Sequence, residues 1–327
     1  MPLKRASIAL LPGSAVTVMR SMRWTAARAR SGLLTAIPSR LDARDGLRGP
    51  AYILGSGRSG TTALGRALGF APGIRYLFEP VDRWYSVLPE TDYSGVFDPS
   101  RSRCVLRADS VDDALRRRFR RVFRSALAGD RQFLEKTPIN AFRIGFLDAI
   151  DPRARYIEIR RDGTEVIQSI LDRSARHDYR LIGRNFLNDW WGVDDCKWRA
   201  LSEDLAKSPE FEIEPEFLTP DADFAVRAAV EWIASIEAVD RAAAMLDARL
   251  HRVAHGDLSA RPEETLAGVA RFLGVREGDW IRDAAALLRR FKHASPKPLV
   301  LPRALARRLN RWNEQLGFPG RAIDATE

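Results

Sequence analysis

The residues best placed to do chemistry begin with an eight-residue turn, Gly55-Ser56-Gly57-Arg58-Ser59-Gly60-Thr61-Thr62. It follows a short apolar run and opens a stretch of helical pattern. Glycines let a backbone wrap so that its amides point inward. A helix starting there adds its own N-terminal amides and the positive end of its dipole. Such a turn binds a phosphate-like or sulfate-like anion. Gly55 and Gly60 have the spacing of a triphosphate-binding loop, and Thr62 stands at its Ser/Thr place. Thr61, however, replaces the lysine that reaches the β- and γ-phosphates. Arg58, inside the loop, is the substitute cation. A loop changed in this way suits a phosphate–sulfate anhydride better than a magnesium-bound triphosphate.

Arg58-Ser59-Gly60-Thr61-Thr62 after an apolar strand resembles the 5′-phosphosulfate loop of sulfotransferases. These enzymes use 3′-phosphoadenosine 5′-phosphosulfate (PAPS), and the arginine-bearing form is that of the carbohydrate and protein-tyrosine type. The resemblance implies transfer of a sulfuryl group from PAPS to an acceptor hydroxyl, giving PAP and a sulfate ester, with no metal. It implies that Ser56, Gly57, Arg58, Ser59, Gly60, Thr61 and Thr62 hold the donor. A second anion site is needed for the 3′-phosphate. Arg161, at the end of an apolar strand, and Ser169, in the next helix, resemble the family's Arg-x-Pro-x-x-x-x-x-Ser motif, with Gly163 at the proline place. An arginine fork and a hydroxyl could converge there on one phosphate. Arg160 is the alternative cation.

Sulfuryl transfer to an alcohol needs a proton acceptor, a cation for the leaving oxygen and fixed geometry. Glu79, in Phe78-Glu79-Pro80, follows the second expected strand and is the candidate base. The family has a similar Phe/Tyr-Glu-Pro segment. Lys136, in Leu134-Glu135-Lys136-Thr137-Pro138, is the candidate for the leaving group, beside Arg58. Glu135 reads as the partner of a nearby cation. His177, Trp190 and Trp191 are candidate acceptor contacts, with Trp198 close by, because indole faces stack on sugar rings and pack on lipid or aryl groups. His255 matches a family segment that is structural. The basic stretch at 289–297 lacks the glycines of the family's C-terminal loop.

These groups require a scaffold that carries them to one edge. Strand patterns at 51–54, 74–78, 132–135, 155–159 and 250–254 alternate with helical ones at 61–70, 111–128, 141–150, 164–172, 223–246 and 262–272. The expected fold is α/β: a P-loop-like three-layer structure with a central parallel sheet flanked by helices. One transferase domain would span 51–327. The segment 177–224, rich in tryptophan, proline and acids, reads as an acceptor-side insertion over the sheet's carboxyl edge.

The formal charge of +10 is concentrated in a basic extension at 1–50, which has nine Lys/Arg against Asp42 and Asp45. The rest is nearly balanced, which argues against a nucleic-acid surface. The extension's charge suits peripheral contact with anionic lipid or an acidic partner. Only Cys104 and Cys196 occur, with no CxxC spacing, so two reduced buried thiols and a cytoplasmic setting are expected. Two other functions fit a nucleotide-binding fold. A P-loop kinase acting on a small molecule or sugar would need the missing lysine and carboxylates for Mg²⁺. A non-catalytic nucleotide-binding scaffold would not need Glu79 or Lys136.

Overall fold

The computed structural model describes residues 49–127, 131–175, 178–180, 186–188, 190–288 and 298–325, together with 26, 27, 29 and 30. His177, the stretch 289–297 and most of the basic extension lie outside the described residues.

The apolar runs form five strands, β1 (Ala51–Leu54), β2 (Ile74–Phe78), β3 (Gln132–Lys136), β4 (Arg155–Arg160) and, late in the chain, β8 (Leu250–Ala254). They pair in the order β2-β3-β1-β4-β8, and every pairing is parallel. A parallel sheet must be covered on both faces, and the period-2 alternation shows how. Tyr52, Leu54 and Tyr156 point into one core, whereas Ala51, Ile53, Ile157 and Ile159 point into another.

The second of these cores is closed by three helices. These are α1 (Thr61–Leu68), α9 (Pro262–Leu273) and α10 (Trp280–Leu288). The first is closed by α2 (Val81–Val87), α3 (Asp113–Leu127), α4 (Ile144–Ile150) and the far end of the long α7 (Phe224–Leu246). Here Trp84 stacks on Phe119, with ring centroids 5.6 Å apart. The expected α/β sandwich is therefore observed. The short α2, which opens at Pro80, and the late helices α10 and α11 (Arg303–Gln315) have no counterpart in the sequence reading. α8 (His255–Ala260) is a single short turn of helix between β8 and α9. No helix among the described residues is long and apolar enough to cross a membrane. Cys104 and Cys196 are both buried and unbridged.

The tryptophan-rich segment has secondary structure of its own. It forms a small antiparallel sheet of β5 (Asp178–Arg180), β6 (Phe186–Asn188) and β7 (Gly192–Val193), followed by α6 (Cys196–Ala206). Trp191, Trp198, Leu201, Leu205, Phe211 and Phe217 form a third core with α5 (Gly163–Ser174), α7 and α11.

The C-terminus is clasped onto the turn after β4. Asp162 caps α5 by accepting from the Thr164 amide at 2.8 Å and also accepts from the Gly320 amide at 2.7 Å. Asn313 accepts from the Gly163 amide at 2.8 Å and donates to the Gly320 carbonyl at 2.8 Å. A side chain on Gly320 would strike Asp162, since a Cβ there would lie 2.1 Å from its Oδ1. The segment β9 (Leu299–Leu301), α11 and β10 (Ala322–Asp324) thus ties itself to the turn that carries Arg161.

Asn313→Ala leaves the buried Gly163 amide and Gly320 carbonyl without these partners. Each such loss costs about 1–3 kcal/mol. A thermal melt should show the midpoint falling by roughly 3–10 °C.

Candidate active site

Four strand ends meet at one edge of the sheet. β1 runs into the glycine turn, β2 ends beside Glu79, β3 ends at Lys136, and β4 ends beside Arg161. Ligands of parallel α/β sheets bind at this carboxyl edge.

The β2–β3 register sets Phe78 opposite Lys136. The Glu79 amide then donates to the Lys136 carbonyl at 2.9 Å, extending the ladder by one residue. The side chains also meet, with Lys136 Nζ donating to Glu79 Oε1 at 2.6 Å. Lys136 is 4% exposed and Glu79 23%, so the carboxylate faces the opening and the ammonium sits behind it. Phe78 floors the pair, its ring centroid 5.5 Å from Lys136 Nζ.

Glu79 reaches this position with φ of 44°, and Arg58 has φ of 71°. Side-chain-bearing residues seldom occupy this left-handed region, and doing so costs on the order of 1–3 kcal/mol each. Both charged candidates are thus held by their surroundings in a conformation that the free chain avoids.

The glycine turn enters α1 through Gly60, whose φ of 97° favours glycine. A Cβ on Gly60 would also lie 2.6 Å from the His255 ring, so this histidine packs directly on the turn. Arg58 Nε donates to Ser169 Oγ at 3.0 Å, and Arg161 Nη1 donates to the Arg58 carbonyl at 3.0 Å. The two anion motifs are in direct contact, because the long Arg58 side chain spans the gap. Arg161 Nε also donates to Glu165 Oε2 at 2.7 Å. Partial desolvation, and then the charges of Arg173 and Arg161, hold the Arg58 guanidinium below the usual arginine value. It stays protonated at neutral pH. Three arginines crowded together repel one another, and an anion placed among them relieves that repulsion.

A family model described as the sulfotransferase family matches residues 50–209. Over that span, just under half of its length, the chain matches the sulfotransferase family. It is an enzyme that transfers sulfate. No curated protein matches the chain. The sulfotransferase domain from the curacin biosynthetic pathway is 16% identical, with a TM-score of 0.51, and the match covers 84% of this chain and 99% of that domain. That likeness is one of fold. The sulfotransferase domain of the Synechococcus PCC 7002 olefin synthase is 17% identical, with a TM-score of 0.45, covering 86% and 98%. Sulfotransferase STF9 from Mycobacterium avium is 13% identical, with a TM-score of 0.46, covering 94% and 84%.

Four expected residues take other roles in this sulfotransferase. Trp191 and Trp198 are wholly buried, in edge-to-face contact at 6.0 Å, so they pack the core and present no surface to an acceptor. Trp190 lies on the glycine turn, where a Cβ on Gly57 would come within 2.2 Å of its ring. Its Nε1 donates to Glu231 at 3.0 Å, and Lys197 Nζ sits 4.0 Å from its ring centroid. Lys197 and Glu231, both buried, pair at 2.7 Å. Trp190 therefore buttresses the turn. The sequence shows Lys197 and Glu231 only as ordinary charges, one in the insertion and one on a helical stretch, and no local signal couples them to residue 57.

Glu135 is the fourth. Among the described residues it makes no ion pair; it is fully buried and accepts from Thr137 Oγ1 and, at 2.7 Å, from Asn140 Nδ2. Burial pushes its carboxyl up to about 7, against the pull of those two donors. The folded state therefore holds this proton more tightly than the unfolded chain, whose value is near 4.5. Stability from this group is fully present below pH 4.5 and declines as pH rises to about 7. Urea titrations of Glu135→Gln across this window should lack that decline, which is on the order of 1–3 kcal/mol in the parent.

Proposed function

We propose that the enzyme moves a sulfuryl group from PAPS to a hydroxyl of a carbohydrate, glycolipid or lipid-like acceptor. The observation that carries this reading is the Glu79–Lys136 pair beside the glycine turn: a proton acceptor and a cation at adjacent strand ends.

The donor set suits a doubly anionic nucleotide. Ser56, Gly57, Ser59, Gly60, Thr61 and Thr62 supply amides and hydroxyls to the 5′-phosphosulfate, and the α1 N-terminus adds its dipole. Arg161 and Ser169 take the 3′-phosphate, with Arg58 bridging toward the sulfuryl end. The acceptor hydroxyl gives its proton to Glu79, and its oxygen bonds to sulfur. The bond from sulfur to the phosphate oxygen breaks, and PAP leaves with that electron pair. Lys136 neutralises the leaving oxygen or the sulfonate oxygens. Its ammonium touches Glu79 Oε1 alone, while the second carboxylate oxygen has no described side-chain donor. An acceptor hydroxyl can use that oxygen. The position of Thr61 in place of the triphosphate-loop lysine supports a sulfuryl rather than a phosphoryl donor.

Calorimetry with PAP, and with Mg²⁺–ATP as control, tests the donor. Binding should be selective for PAP and weakened by Arg161→Ala. Binding of Mg²⁺–ATP alone would favour a kinase. Glu79→Gln should lower kcat by about 10²–10⁴-fold while PAP affinity is kept. A Glu79→Gln enzyme with unchanged kcat would exclude this carboxylate as the base.

A further inference from the structure

A cavity of about 260 Å³ opens directly beside Glu79. Its walls include Phe78, Val81 and Asp82 from the β2–α2 junction. They also include Ala27 and Arg30 from the basic N-terminal segment, more than twenty positions before the sheet begins. Ala27 and Arg30 are helical and three residues apart, which places them on one side of a turn. Ala27 is buried, and Arg30 Nη1 donates to the buried Asp82 at 2.9 Å. We propose that this cavity is the acceptor pocket and that Ala27 and Arg30 form its outer wall, so that the N-terminal segment selects a neutral hydroxyl compound with an apolar body. The proposal rests on the sulfuryl-transfer reading above and deepens it.

Size and charge both point to that class. Whole-ligand pockets run to about 300–1,000 Å³, so this one takes a ring or the end of a chain that bears the hydroxyl. A polymeric sugar would need an open groove. The charged lining residues are two acids, Glu79 and Asp82, and two arginines, Arg30 and Arg83, and they balance. A polyanionic acceptor would meet Glu79 and Asp82 without a surplus of positive charge. The remaining walls are Ala27, Leu77, Phe78, Pro80 and Val81, which are apolar. A hydroxyl on an aryl or alkyl body leaves them dry and sets its oxygen near Glu79.

The experiment uses the full chain with PAPS, with 2-naphthol as acceptor and a PAP-induced thermal shift as an independent measure of folding and donor binding. Ala27→Trp narrows the cavity and Arg30→Glu breaks the wall. Each should raise the KM for 2-naphthol about tenfold or more, the scale of a disturbed apolar pocket, with the PAP shift unchanged. The reversed pair, Arg30→Glu with Asp82→Arg, should recover most of the loss. An enzyme that binds PAP but does not sulfate 2-naphthol overturns the proposal. So does an unchanged KM in both single variants. A parent chain that shows no PAP shift instead removes the sulfuryl-transfer reading itself, and this proposal with it.

Discussion

Two opposite charges at the ends of neighbouring parallel strands fix the design. Glu79 and Lys136 meet only because Phe78 and Lys136 are in register. Side chains alternate along a strand, so a slip of one residue between β2 and β3 would turn one partner to the other face of the sheet. The aromatic core on the opposite face of the sheet, from Trp84 through Phe119, Phe123 and Phe133, resists that slip. Packing well below the edge thereby controls whether a base and a cation stand together at it.

Local patterns made much of this legible. Strand, glycine turn and helix lie next to one another in sequence, so β1, the turn and α1 could be read directly, and the other sheet strands followed from their apolar runs. The strand-end positions of Glu79, Lys136 and Arg161 came from the same reading. What escaped was contact at long range. Trp190 reaches Gly57 and His255 reaches Gly60 across the whole domain, and a tryptophan in a loop carries no mark of which surface it will cover. Trp191 and Trp198 look like Trp190 in sequence, yet the fold buries them. Only the three-dimensional core separates a packing indole from an exposed one. Glu135 misled for a related reason, because a carboxylate beside a lysine suggests an ion pair. The pleat sends the two neighbours to opposite faces.

The donor turn is also held from outside its own strand–helix unit. Trp190 presses on it from the antiparallel insertion, and Glu231 anchors Trp190 from α7, paired with Lys197. A buried ion pair adds little net stability, because desolvation offsets its attraction. Losing either member would strand a charge beneath the turn. This pair accordingly acts more through position than through binding energy, and it links the insertion to the loop by a rigid route.

The clasp between the C-terminus and the Arg161 turn carries a consequence for biosynthesis. A ribosome delivers the chain from its N-terminus, so the sheet and the glycine turn can assemble while synthesis continues. The Asp162–Gly163 turn cannot be finished then, because Asn313 follows Gly163 by 150 positions and Gly320 follows Asp162 by 158. The Arg161 turn is therefore completed long after the glycine turn. Nascent chains that still lack Asn313 and Gly320 would carry a formed glycine turn beside an unfinished Arg161 turn.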